Sequence, residues 1–288
     1  MSDLNTAQPV ASNPNQALWE KGDFTRLSET MRASGTRLVE SLGITPGMRV
    51  LDVGCGDGTT ALPAARLGAQ VTGIDIARNL VAAGQRRADA EGLTNIRFLH
   101  GDVTDLAGVP DKFFDLVVSI FGAMFAPRPL HAAHELVRVT RSGGRIVMGN
   151  WIPGDPTLVA QILRIAVAYT PPPPEGFVSP MLWGVESHVT ERFGAAGIAP
   201  ENISFQRDTY LFEAPISAGE FLKRFYPGAK KIYIPTPSWA NHNAVFSDSG
   251  LEVVKYRYYN KDTIGLDFEG MVQDIKNAPE GSIVLRLE

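Results

Sequence analysis

The sequence predicts an open, doubly wound α/β fold, on three observations. Short apolar runs alternate with helical stretches from Met48 to Trp151, the rhythm of crossover units on a parallel sheet. Several of those runs are apolar on both faces, as a sheet covered by helices on both sides requires. The first run ends in three glycines at alternate positions, Gly54, Gly56 and Gly58, where a backbone must turn sharply or let a ligand come close.

The elements follow in order. Residues 1–16 are polar, can bury almost nothing and are expected to be disordered. From Leu18 to Leu42 apolar residues recur at helical spacing, with Leu27, Met31, Leu38 and Leu42 facing inward, until Pro46 and Gly47 end the region. Strands are then expected over 48–54, 69–76, 95–102, 113–122 and 145–151. Helices over 59–68, 77–92 and 129–144 connect them, stopped by Gly68, Gly92 and the pair Gly143 and Gly144. Further on, Leu158 to Tyr169 reads as a helix that Pro171 to Pro174 must stop, because proline lacks the amide donor. A short helix over 187–198 and a strand over 202–212 complete a region that fits a cap on the sheet's carboxyl edge.

After about Ala214 the composition changes. Six of the eight lysines and five of the seven tyrosines lie beyond Ile216, but only three of the nineteen arginines. That is what a junction between unrelated segments looks like. A second run of parallel-sheet units follows: strands over 230–237, 251–259 and 281–287, with helices over 239–250 and 267–279.

The whole chain excludes several function classes. A net charge of -4 with no run of Lys and Arg gives no footprint for nucleic acid. No stretch approaches the ~20 apolar residues of a membrane span, and the N-terminus has no apolar segment behind a basic one, so the chain is expected to stay in the cytoplasm. Cys55 is the only cysteine; an internal disulfide is impossible, a cysteine-rich zinc site is excluded and no metal is expected.

The glycines point to a nucleoside. In an open α/β sheet the first strand-to-helix turn touches a ligand at the carboxyl ends of the strands, and main-chain amides there can face it. Asp75, at the end of the second strand, is placed to take both ribose hydroxyls. A dinucleotide fingerprint would put its third glycine at position 59, which is Thr59, and no Gly-Lys-Ser/Thr follows, so a P-loop is excluded. A nicotinamide-dependent oxidoreductase and a protein that only binds the nucleoside stay open as alternatives.

The form "LDVGCGDG", with "GDV" at 101–103, "FDLVVSIFGAMFAP" and "HELVRVTRSGGRIVMGNW", resembles the class I S-adenosylmethionine-dependent methyltransferases over about residues 18–213. "PPPPEGFVSPMLWG" is similar to a bacterial branch that acts on small molecules. The resemblance implies a Rossmann-like sheet and S-adenosyl-L-methionine as cofactor. It implies that Gly54, Cys55 and Gly56 line the methionine part, that Asp75 holds the ribose hydroxyls and that Ile76 lies against the adenine. Asp102 would accept from the adenine amino group, Val103 would offer a backbone amide, and Ser119 would face the sulfonium side. Asp52 sits within the first strand and would order the loop. Trp19, Lys21, Asp23 and Phe24 would form an N-terminal helix closing over the cofactor.

Methyl transfer from a sulfonium chiefly needs alignment and exclusion of water, and no catalytic residue can be assigned. The signature for methylation of nucleobase or glutamine amino groups would fall on Ser119 to Gly122, which reads "SIFG", so that class is disfavoured. A small-molecule methyl acceptor is the expected partner. His131, His134, His188 and Tyr169 are candidate bases, and Phe121, Met124, Phe125, Trp151 and Trp183 are candidate walls of an apolar pocket.

From Ile216 to Leu285 the chain resembles an internal piece of the pyridoxal-phosphate aspartate aminotransferases, in "FLKRFYPGAKKIYIPTPSWANHNAVF", "YRYYNKDTIGLDFEGM" and "NAPEGSIVL". There Trp239 would stack on the cofactor ring, with His242 nearby. Lys255, Lys261 and Lys276 match no Schiff-base position, so no aminotransferase activity is expected. The implied organisation is a disordered stretch 1–16, a cofactor-binding Rossmann-like domain 17–150, a cap and substrate region with the remaining strands 151–214, and a non-catalytic aminotransferase-like fragment 215–288. The chain reads as a chimera.

Overall fold

A computed structural model describes residues 13, 15–21, 23–157, 159, 177–213, 230–238, 240–279 and 282–285. It divides into two compact units, residues 1–212 and 213–288.

The first unit is built on five parallel strands in the order β3-β2-β1-β4-β5. They are β1 (Arg49–Val53), β2 (Gln70–Asp75), β3 (Ile96–His100), β4 (Phe114–Ile120) and β5 (Thr140–Gly149). Three short N-terminal helices, α1 (Gln16–Trp19), α2 (Thr25–Glu29) and α3 (Arg32–Ser41), precede β1. Helices α4 (Ala61–Arg66), α5 (Arg78–Ala90) and α6 (Pro129–Val139) make the crossovers. The β1 side chains divide between two cores, one on each face of the sheet. Val50 packs with Val39, Leu62, Ala65, Leu116 and Val118. Leu51 and Val53 face Val117, Met124, Ala132, Leu136 and Trp183. The chain turns outward in both directions from β1, so a switch point opens between β1 and β4, where such sheets bind ligands.

Several expectations are corrected. Residues 18–42 form three helices rather than one, and the buried positions are the small residues Ser28, Thr30, Ser34 and Gly35, with Val39 and Leu42. The cause is close packing on the glycine turn: a Cβ on Gly35 would come within 2.6 Å of the Thr59 carbonyl oxygen. The helix expected over 129–144 ends at Val139, and "TRSGG" opens β5 instead. There Gly143 takes φ +73° and the register with β4 shifts between Phe114 and Leu116, an irregularity that absorbs extra residues. Residues 204–213 form no strand. The Ser34 hydroxyl holds them, donating to the Leu211 carbonyl at 2.9 Å and accepting from the Leu211 amide at 3.1 Å. The cap region also contains α7 (Glu186–Ala195), preceded by a 3-10 turn at Pro180–Gly184. The helix expected over Leu158 to Tyr169, and the run Pro171 to Pro174, fall outside the described residues apart from Val159.

The second unit has three parallel strands, β6 (Lys231–Thr236), β7 (Glu252–Arg257) and β10 (Ile283–Val284), in the order β10-β6-β7. Helices α8 (Ala240–Asp248) and α9 (Phe268–Lys276) connect them, with a hairpin of β8 (Tyr259–Asn260) and β9 (Gly265–Leu266) before α9. Ile232, Ile234, Phe246 and Leu251 form its own small core. Tyr256 is buried there and donates from its hydroxyl to the Leu285 carbonyl at 2.8 Å. His242 Nδ1 lies 2.6 Å from the Ser238 hydroxyl; Trp239 lies outside the described residues.

Candidate functional site

A cleft of about 400 Å³, counted with its open mouth, lies at the carboxyl ends of β1, β2 and β4. Its floor is made by backbone. Gly54 has φ +69°, and its Cα meets Gly122 so closely that a Cβ on Gly122 would stand 2.7 Å from it. Two main chains can touch only where neither carries a side chain, so this pair keeps the floor of the cleft flat.

The loop amides are corrected as ligand donors. The Gly54 and Cys55 amides both donate to the Ile74 carbonyl, at 2.8 and 3.1 Å. The Gly56 amide donates to Asp75 Oδ2 at 2.8 Å. The turn is therefore tied to the end of β2. Asp57 ties it to the helices: its carboxylate is buried and lies 3.2 Å from both Arg32 Nη2 of α3 and Arg87 Nη1 of α5.

Asp75 lines the cleft. Its two oxygens accept from the Gly56 and Ala77 amides, each at 2.8 Å, and each oxygen keeps a further lone pair. Burial raises its pKa, against the pull of those amides. Ile76, Gly101, Asp102 and Val103 continue the wall. Asp102 Oδ1 accepts from the Thr104 amide and hydroxyl at 2.8 and 2.9 Å, and Oδ2 accepts from Asn13 Nδ2 at 2.9 Å.

Asp52 is set apart from these. Its side chain is 2% exposed and Oδ2 has no hydrogen-bond partner. Burial first, and the Asp75 carboxylate second, push its pKa up to about 7, with the Ala61 amide opposing. Tyr210 lies on the same side, its pKa raised by burial and by the Asp52 charge.

Two predicted residues point elsewhere. Ser119 is 1% exposed, and its hydroxyl donates to the Val53 carbonyl at 2.6 Å and accepts from the Ala123 amide at 2.8 Å. It locks β4 to β1, and Ser119 is not among the residues lining the cleft. The Cys55 side chain is buried among Val50, Leu62 and Phe98, and burial raises its thiol pKa well above the ordinary value. Of the candidate bases, His131 and His134 are exposed on α6, and His188 Nδ1 lies 3.8 Å from Glu191 on the surface of α7. None lines the cleft. Tyr169 lies outside the described residues.

Trp19, expected in an N-terminal helix, lines the cleft; Asn13 and Asn15, which also line it, were missed. The disorder expected through residue 16 is corrected at Asn13, Asn15 and Gln16. Asn13 reaches Asp102, and Asn15 Nδ2 donates to the Phe125 carbonyl at 2.9 Å. Trp19 packs edge-on against Phe125 at 5.1 Å, and Glu20 Oε1 accepts from the Arg78 amide at 3.1 Å. The segment has local bonds of its own, Gln16 Nε2 to Glu20 Oε1 at 3.0 Å among them, but only tertiary contacts bring it to the cleft. Gly122, Ala123 and Ala126 were also missed; the signal available was the glycine just after the fourth apolar run.

Next to the cleft, beyond β4 and β5, stands an aromatic wall. Phe121, at φ +57°, stacks on Trp151 with centroids 3.9 Å apart and planes 4° apart. Tyr210 meets Phe121 edge-on at 5.0 Å, and Phe212 lies 6.0 Å from Trp151.

What the cleft suits can be read from its charge. Asp75 and Asp102 line it, with Asp52 buried off its wall; none of the three makes an ion pair, and no Lys or Arg lines it, among the described residues. A cationic nucleoside fits such a site, and a pyrophosphate does not. No helix among the described residues is long and apolar enough to cross a membrane.

Comparison with known proteins bears on the same residues. The methyltransferase domain family matches residues 51–148, and the aminotransferase class I and II family matches residues 211–288. An uncharacterized protein of Mycobacterium tuberculosis is 38% identical over 181 residues, 62% of this chain and 65% of its own. The chain thus spans just under two thirds of that relative. A second protein of that organism, also uncharacterized, is 34% identical over 222 residues, 76% of this chain and 79% of its own. The mitochondrial aspartate aminotransferase of Dictyostelium discoideum is 53% identical over 68 residues, 24% of this chain and 16% of its own. Among solved structures, a chain of the Haloferax volcanii complex containing the Trm112 methyltransferase activator matches with TM-score 0.50 at 18% identity. That match covers 76% of this chain and 95% of the other, a likeness of fold.

Proposed function

The chain carries a methyltransferase domain over residues 51–148, and from that premise we propose that it transfers a methyl group from S-adenosylmethionine to a small-molecule acceptor. The observation that carries this reading is the uncompensated negative charge of the cleft, two carboxylates, Asp75 and Asp102, with no basic residue on its walls among the described residues. When bound, S-adenosylmethionine supplies an electrophilic methyl carbon on a positively charged sulfur. Asp75 has lone pairs left for the two ribose hydroxyls. Ile76 and Val103 flank the place for the base, with Asp102 as acceptor for its amino group. Gly54, with Gly122, lets the methionine part lie against bare backbone, while Cys55 and Gly56 act by holding the turn. Asp52, buried off the cleft wall with one oxygen unpartnered, adds negative charge behind it. Ser119 positions the β4 end rather than touching the ligand.

The acceptor lies against Phe121, Trp151, Tyr210 and Phe212, which exclude water from the transfer path. Alignment against such a wall is the principal catalytic device, worth up to about 7–11 kcal/mol in favourable cases. Labelled-methyl release over a panel of phenols, aromatic acids and amines tests this. The expected result is turnover of at least one apolar acceptor, with Trp151→Ala raising KM about tenfold or more and leaving the affinity for S-adenosylhomocysteine unchanged. A chain that binds the cofactor product and turns over no member, or a Trp151→Ala that also loses the product, contradicts the assignment.

The chimera is proposed on the same footing: a methyltransferase body joined to an excised aminotransferase segment, 215–288, with no aminotransferase chemistry. Its support is the pair of family matches on separate stretches, together with a separate small core in the second unit. Calorimetric melting of the full chain is expected to show two transitions, of which S-adenosylhomocysteine raises only one. A single transition, or a shift of both, counts against it.

A further inference from the structure

Arg192 and Trp183 form a pair that the cofactor cleft does not use. Arg192, on α7, is 5% exposed; its guanidinium carbon lies 4.5 Å from the centroid of the Trp183 ring. Among the described residues its Nη1 meets no acceptor, and neither does the Trp183 Nε1, although Trp183 is 2% exposed. No carboxylate pairs with the guanidinium among the described residues. Glu191, its neighbour in sequence, points outward beside His188, with its side chain 75% exposed. A buried cation without a counter-ion is strongly unfavourable, and a buried N–H without an acceptor adds to that. Two such donors stacked on each other are the signature of a site completed from outside.

Its place in the fold says what would complete it. Trp183 belongs to the 3-10 turn Pro180–Gly184 and packs in the same cluster as Met124, next to Ala123 of the cleft wall. Gly184 abuts Trp151, whose carbonyl carbon would lie 2.8 Å from a Cβ there. Trp151 in turn stacks on Phe121. The turn that carries Trp183 therefore packs on the backbone of the strand end that carries the aromatic wall.

We infer that Arg192 and the Trp183 Nε1 form an anion subsite for a methyl acceptor that carries a carboxylate on an apolar, planar body. A carboxylate is favoured over a phosphate because a single guanidinium and one neutral N–H match one negative charge, not two. This rests on the methyltransferase reading for the acceptor's role, but the subsite itself can be tested apart from it.

The test uses the full chain saturated with S-adenosylhomocysteine, with sodium benzoate and inorganic phosphate as probes in calorimetric titration. Benzoate binds the wild-type chain and binds Arg192→Gln and Trp183→Phe about tenfold more weakly or worse; phosphate binds the wild type more weakly than benzoate does. Without a probe, Arg192→Gln melts no lower than the wild type, because it removes an unmatched buried charge; a clear fall in melting temperature would mean that the guanidinium serves packing, and would overturn the subsite. An Arg192→Gln chain that does not fold overturns the subsite likewise; Trp183→Phe keeps an aromatic ring but loses the N–H and part of the indole, so its benzoate affinity is read on samples shown by melting to be folded. Benzoate that fails to bind, or that binds the wild type and Trp183→Phe alike, overturns the subsite. Tighter phosphate binding overturns the carboxylate assignment. Affinity for S-adenosylhomocysteine is recorded first on the same samples: its absence removes the methyltransferase reading, while the benzoate comparison, repeated without it, still decides the subsite.

Discussion

Asp75→Ala weakens binding of S-adenosylhomocysteine by about 100- to 10,000-fold. Two ribose hydroxyls on one carboxylate are two charge-assisted hydrogen bonds, each worth roughly 1.5–3 kcal/mol, and about 1.4 kcal/mol is a factor of ten. The substitution also strips the Gly56 and Ala77 amides of their acceptor, which loosens the turn that floors the cleft. Asp75→Asn keeps one acceptor oxygen and falls in between. Titration calorimetry reads the affinities, and a thermal melt checks that each variant is folded. An Asp75→Ala chain that is folded and binds with wild-type affinity would remove Asp75 as the ribose anchor.

The second large effect is on stability, and it has an unusual sign. A carboxylate in the unfolded chain has a pKa near 3.9, whereas Asp52 in the folded chain is pushed up to about 7 by burial and then by Asp75. Between those values the folded chain holds a proton that the unfolded chain has released. The stability tied to this group is therefore fully present below about pH 4, is lost as pH rises towards 7, and stays lost above it. The upper limit of the loss is about 4 kcal/mol, from ~3 pH units at about 1.4 kcal/mol each. Asp52→Asn should make the ligand-free chain more stable than wild type at pH 8, by a few kcal/mol, and bring little change at pH 4. Asp75, also raised by burial, leaves a smaller slope of the same sign in the variant. A bound cation offsets the penalty, so the wild type should gain affinity for S-adenosylmethionine as pH rises through 7, and Asp52→Asn should not. Urea denaturation at pH 4 and 8 measures the first effect. Wild-type stability that rises across this window faster than that of Asp52→Asn would contradict the assignment of a buried, unmatched carboxylate.

The sheet was legible because each of its strands announces itself locally. Val50, Leu51 and Val53, or Leu116 to Val118, are apolar on both faces, and that pattern needs no tertiary information. The acids at strand ends were legible for the same reason: Asp75 and Asp102 follow β-runs at the edge where such sheets bind ligands. What escaped depends on partners distant in sequence. Gly143 and Gly144 read as a helix stop, yet they sit in an irregular start to β5. Residues 202–212 have strand composition, yet Ser34 takes the Leu211 backbone groups that a ladder would have used. Ser119 occupies a strand end like the others, but the Val53 carbonyl and Ala123 amide already satisfy its hydroxyl. Asn13 and Asn15 lie in a polar stretch with no periodicity, and their roles appear only once Asp102 and Phe125 are in place across more than eighty residues of chain.

The central claim is that an uncompensated acidic cleft with a bare backbone floor takes a cationic adenosyl group. Titration of the purified full chain with S-adenosylmethionine, S-adenosylhomocysteine and NAD tests it most directly. The account predicts saturable heats with both adenosyl compounds, tighter binding of the sulfonium than of its uncharged thioether product at pH 8, and no heat with NAD. Heat with NAD and none with either adenosyl compound would contradict it.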